Sequence, residues 1–135
     1  MNQNNIKPQE LRIGNWVSVY GEFKQVESVG TYGISFKDGF CKYTLPNFKP
    51  IPLSEEVLLK AGFERKSFLT EGVVIEIVYY KKDNIIVFLL SNFFEIEIIT
   101  SAGQFNIHKS FKKELHVLQN AIHALTGKEL EVSWT

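Results

Sequence analysis

Three histidines, one cysteine and a pair of neighbouring glutamates are the residues of this 135-residue chain whose types suggest chemistry. His116 and His123 stand seven apart on an expected helix, so they share a face to within about 20°. About 10 Å of axial rise separates them, too far to hold one ion together. No thiolate or carboxylate accompanies them at zinc-binding spacing. Both lie off the apolar stripe of that helix, beside Lys112, Lys113 and Asn120, and read as solvated surface; His108 reads as a loop residue. Cys41 has no base motif near it and reads as a buried strand residue. Glu95 and Glu97 alternate on an outward strand face, where carboxylates serve solubility. There is no GxSxG, P-loop or GxGxxG, and the glycines fall singly at turns. These residues predict no catalytic group, no metal ligand and no cofactor. A catalytic site assembled from scattered positions is the alternative.

Surfaces are therefore the better place to look for function, and the elements that shape them come next. Between Val73 and Ile99, 18 of 27 residues are apolar and none is Gly, Ala or Pro. β-Branched and aromatic residues dominate, which favours strands. Turns at Lys81–Asn84 and Ser91–Asn92 divide the stretch into an antiparallel three-stranded meander. Only Phe93–Ile98 alternates as a one-sided strand, with Phe94, Ile96 and Ile98 inward. The other two strands are apolar on both faces. One face can be covered by the last helix; the other offers Val74, Val78, Tyr80, Ile86, Phe88 and Leu90 as a protein-interaction surface, for a protein partner or for a second copy in a homodimer.

Upstream, Asn15–Tyr20, Phe23–Val29, Tyr32–Phe36 and Phe40–Leu45 read as short strands broken at Gly21-Glu22, Gly30-Thr31 and Asp38-Gly39. That density of strands suits a small SH3-like curled sheet. Its rings are interleaved with lysines, so nucleic-acid binding through Trp16, Lys24, Lys37 and Lys42 is an alternative function. The first 52 residues carry six basic against four acidic side chains, a thin basis for backbone binding. Phe48–Pro52, with two prolines, reads as an extended connection.

The overall expectation is an α+β protein: residues 1–52 a small SH3-like β subdomain, and residues 53–135 an α+β subdomain sharing or extending its core. In the second, a short helix capped by Ser54, with Val57, Leu58 and Leu59 buried, stops at Gly62. The meander follows, then a long amphipathic helix from Phe111, capped by Ser110, to Thr126. Phe111, Leu115, Leu118, Ile122 and Leu125 line its stripe, and Gly127 ends it. Glu129–Trp134 alternates again and can return as a closing strand. The chain has 15 basic and 15 acidic side chains, so no global field steers it towards nucleic acid or anionic membrane. The longest apolar run, Ile85–Leu90, is far short of a membrane span. With one cysteine and a polar N-terminus, the expected location is the cytoplasm.

Three groups of residues carry a resemblance: Glu10-Leu11-Arg12-Ile13-Gly14-Asn15; Lys49-Pro50-Ile51-Pro52-Leu53-Ser54-Glu55-Glu56 with Leu58-Leu59-Lys60-Ala61-Gly62-Phe63; and His116-Val117-Leu118-Gln119-Asn120 with Ala124-Leu125-Thr126-Gly127-Lys128-Glu129-Leu130. Together they resemble a family of uncharacterised small proteins of Bacteroidetes genomes, prophages and phages. The resemblance covers both ends of the chain and leaves out the apolar centre. It implies a bacterial or phage cytoplasm and a mobile-element context, and brings no activity or functional residues.

Overall fold

The computed structural model describes residues 6–37, 39–42, 48–72 and 74–134; Asp38, Tyr43 and Val73 fall outside, as do the side chains of Pro8, Cys41, Lys42 and residues 105–109, His108 among them. The chain is α+β and divides into two compact units, residues 1–52 with 114–130, and residues 53–113 with 131–135.

The first unit holds strands β1 (Trp16–Val19), β2 (Glu22–Val29), β3 (Gly33–Phe36), β4 (Gly39–Lys42) and β5 (Phe48–Lys49). They form one antiparallel sheet in the order β4-β3-β2-β1-β5. Alternation explains β1: Val17 and Val19 are buried while Trp16 and Ser18 are half-exposed. Tyr20 and Gly21 both adopt positive φ between the paired residues Val19 and Glu22, a two-residue turn whose twist matches the strands. A register shift between Val26 and Ser28 bends β2. Phe48 and Lys49 are not plain linker: they pair with Val19 and Ser18 before the prolines take over.

Helix α2 (Leu115–Thr126) belongs to this unit. It begins four residues later than the sequence suggests, because Ser110, Phe111 and Lys112 are strand residues, and its N-cap is Glu114, without a side-chain cap bond. Leu115, Leu118 and Ile122 are buried, whereas Leu125 is exposed. Its stripe packs in the unit of β1 to β5, although the sequence suggested the central sheet as its partner.

The second unit opens with α1 (Glu55–Lys60), where the Ser54 Oγ accepts a hydrogen bond from the Val57 N–H and Glu55 and Glu56 occupy the first turn. Val57 and Leu58 are buried, but Leu59 is half exposed, and Ala61 and Phe63 complete the packing instead. Five strands follow: β6 (Glu64–Leu69), β7 (Glu76–Lys82), β8 (Ile85–Leu89), β9 (Phe93–Thr100) and β10 (Gly103–Lys112). They form an antiparallel sheet in the order β10-β9-β8-β7-β6. The three expected strands are its centre; β6 and β10 extend it on either side. Val74 and Ile75 lie outside any strand. Phe94, Ile96 and Val87 are fully buried, and the Phe94 and Phe111 rings stack at 5.1 Å. Residues 129–134 form no strand; the Ser133 N–H donates to the Lys60 carbonyl at 2.9 Å. Among the described residues no helix is long and apolar enough to cross a membrane.

Candidate functional site

In the first unit, the turn before β1 and the helix that closes the unit meet through polar side chains. Asn15, His116 and Gln119 are buried polar residues there. Gln119 Oε1 accepts the Trp16 N–H at 2.9 Å, and its Nε2 donates to the Gly14 and Leu130 carbonyls at 3.1 and 3.2 Å. Asn120 Oδ1 accepts from Asn15 Nδ2 at 2.8 Å and from Arg12 Nε at 3.2 Å, while its own Nδ2 donates to the Glu10 carbonyl. The Arg12 guanidinium pairs with the Glu129 carboxylate. These are the residues of the Glu10–Asn15, His116–Asn120 and Gly127–Leu130 motifs, more than 100 positions apart in the chain and joined in one network.

At the edge of that network His116 is fully buried, not solvated as its position off the apolar stripe suggests. Its Nε2 lies 3.5 Å from Glu10 Oε1 and 3.9 Å from Glu114 Oε1. The three ligand atoms all sit within 4.8 Å of one another. The second oxygen of Glu10 is fixed by the Lys7 N–H at 2.9 Å. A 3-10 turn over Pro8–Glu10 and the N-cap of α2 therefore aim two carboxylates at one imidazole in the first turn of α2. Sequence spacing could not show this, because Glu10 comes from the other end of the chain. His123 is separate, 4.0 Å from Glu129 and half exposed.

The sheet of the second unit distributes the expected interaction residues over two faces. Tyr80 pairs with Val87, and its hydroxyl donates to Glu55 Oε1 at 3.2 Å, which Arg65 also approaches at 3.1 Å. Burial first, and then the Glu55 carboxylate, raise the Tyr80 pKa. Val78 follows Tyr80 on that side by the strand alternation. Ile86 and Phe88 point to the opposite face, with Ile86 buried and Phe88 half-buried. Leu90 sits just past the end of β8 and Val74 in the connection before β7, both exposed. A ring row crosses the face of Phe88: Phe68 and Tyr79 lie 6.0 Å apart, Tyr79 and Phe88 6.1 Å. Lys66 is the cross-strand partner of Tyr79, and Glu95 that of Phe88. The row is thus aromatic at its centre, with Lys66, which pairs with Glu64 at 3.6 Å, at one end and Glu95 at the other. Phe68 is 49% exposed.

Trp16, Lys24 and Lys37 do come together, around a hollow of ≈ 750 Å³ in the first unit that also includes Phe23 and Phe36. Glu22 and Glu27 line the same hollow, and Glu22 pairs with Lys24 at 3.3 Å. Two lysines against two glutamates leave it without the positive excess that a phosphate backbone needs.

The fold and these surfaces define an α+β protein of two antiparallel sheets, one of which displays an aromatic row. Compared with protein-family models, with curated proteins and with solved structures, the chain finds no match.

Proposed function

We propose that this is a non-enzymatic interaction module that self-associates through the aromatic face of its second sheet. The observation that carries the reading is the Lys66–Tyr79–Phe88–Glu95 row. Face-to-face packing about a two-fold axis parallel to the strands, between β7 and β8, sets Lys66 of each copy over Glu95 of the other, with rings against rings. Edge pairing is the poorer route, because β6 carries Glu64, Arg65 and Lys66 along its edge. The face offers on the order of 500 Å² a side, from five strands at about 4.8 Å spacing. A stable complex needs about 800 Å² a side, so the association is reversible and concentration-dependent. Within the same proposal the N-terminal sheet is SH3-like, and the protein works in a bacterial cytoplasm, encoded on a phage or other mobile element.

Light scattering across a concentration series tests it. The wild type should pass from monomer to dimer as concentration rises. Lys66→Glu should weaken the dimer, and the double change Lys66→Glu, Glu95→Lys should restore it. A strict monomer up to the solubility limit, or a dimer indifferent to these changes, refutes it.

A second reading, nucleic-acid binding at the hollow of Trp16, Lys24 and Lys37, is favoured by their convergence and opposed by Glu22 and Glu27. A salt-sensitive mobility shift weakened by Trp16→Ala would support it; no shift with single-stranded or duplex probes at low salt would end it.

A further inference from the structure

We propose that Glu10, Glu114 and His116 form a binding site for a divalent transition-metal cation of the zinc class, with coordination positions left open for water or a small ligand. The donor set is one imidazole nitrogen and two carboxylate oxygens, a mixture suited to a borderline cation such as Zn²⁺. Two carboxylates balance the charge of such an ion.

Distance separates this arrangement from an ordinary histidine–carboxylate hydrogen bond. The His116 Nε2 contacts of 3.5 and 3.9 Å exceed the N–H···O range of about 2.7–3.2 Å. Ligands held about 2.0–2.2 Å from a tetrahedral ion stand about 3.3–3.6 Å from one another. The Glu10 contact falls in that window, and the Glu114 contact lies a few tenths of an ångström beyond it, within the swing of a glutamate side chain.

The supporting groups are also placed as a metal site needs them. The Lys7 N–H holds the outer oxygen of Glu10, leaving Oε1 turned towards His116. Asn120 holds the Glu10 carbonyl, so the network that docks α2 also positions the ligand turn. The imidazole is fully buried, whereas the Glu10 and Glu114 side chains keep 33% and 25% of their exposure, which gives an ion a way in and leaves a side for solvent. The N-terminal end of α2 disfavours a cation by about half a charge; the two carboxylates outweigh it.

Calorimetric titration of the chelator-stripped full chain with Zn²⁺ alone tests the site, and visible absorption of the Co²⁺ form reads its donors. One ion per chain is expected. Glu10→Gln and Glu114→Gln should each weaken binding by about tenfold or more, and both variants lie at partly exposed positions that leave His116 in place, with circular dichroism confirming their fold. Glu76→Gln, in the other unit, should bind as the wild type. No heat and no Co²⁺ spectrum overturn the site. So does binding that survives both glutamine changes, or that is lost instead with His123→Asn, which would place the ion at His123 and Glu129.

Discussion

Replacing Gln119 by alanine is the sharpest test of how the two ends of the chain are joined. The side chain is fully buried and makes three hydrogen bonds, to the Trp16 N–H and to the Gly14 and Leu130 carbonyls. A hydrogen bond contributes about 1 kcal/mol net, and leaving its buried partner unmet costs about 1–3 kcal/mol. Three together give a loss of about 3–4 kcal/mol, against a total stability on the order of 5–15 kcal/mol. Urea unfolding read by Trp16 fluorescence in a Trp134→Phe background should show the midpoint falling by about 2 M, at the usual dependence of about 1–3 kcal/mol per molar urea. Gln119→Glu sharpens the test, because it preserves the acceptor for Trp16 but turns an oxygen towards two carbonyl oxygens. Burial and those carbonyls both favour the protonated form, so the pKa of the introduced carboxyl rises on folding. The variant is then most stable below its unfolded pKa of about 4.3 and loses stability as pH rises through the folded value. An alanine variant with an unchanged midpoint, or a glutamate variant with no acid rescue, would show that the network is decorative.

Gly127 ends α2 at φ +73 with its N–H on the His123 carbonyl, so Gly127→Ala should cost about 1 kcal/mol by thermal unfolding; no loss would mean that this end frays. Tyr80 has its pKa raised by burial and then by Glu55; that contribution is full below pH about 10 and is lost as pH rises through the folded value. Tyr80→Phe should remove this alkaline slope from a stability–pH profile, and an unchanged slope would refute the assignment. Joining Pro52 to Glu114 through a short glycine-serine linker, and ending the chain at Leu130, should yield a cooperatively folded first unit by circular dichroism; a random-coil spectrum would show that it does not stand alone.

Local signals were legible wherever short-range chemistry decided the structure. Ser54 and Gly62 bracket α1, Gly127 ends α2, and the alternation of Phe93–Ile98 identifies both a strand and its buried side. Signals failed where pairing partners decided. Glu64–Leu69 has all six residues exposed, so it carries no hydrophobic period and is a strand only by hydrogen bonding to β7. Ser110-Phe111 imitates a helix start because Phe111 stands four residues before Leu115, yet Phe111 pairs with Phe94 in the sheet. His116 was beyond reach for another reason. Its Nε2 faces Glu10 from the other end of the chain, and a polar network between residues a hundred positions apart leaves no periodicity to read.

The prolines of the Lys49–Glu56 motif acquire a different meaning from this connectivity. Pro52 bridges to Glu114; on one side the Leu115 N–H donates to the Ile51 carbonyl at 2.8 Å, and on the other the Leu53 N–H donates to the Lys113 carbonyl at 2.9 Å. Neither donor is a proline, so the crossing takes its bonds from the residues whose N–H groups survive. The chain leaves its first unit at one strand of this crossing and re-enters it at the other, and the apolar sheet between them is therefore an insertion with its ends clasped. Glu114, which sits at the clasp, is also the residue that turns its carboxylate to His116. An ion shared with Glu10 would thus tie the N-terminal turn, the point of re-entry and the first turn of α2 together. The motifs at the two ends of the chain then have one physical task within the first unit, docking the N-terminal turn on α2 through Asn15, Gln119 and Asn120.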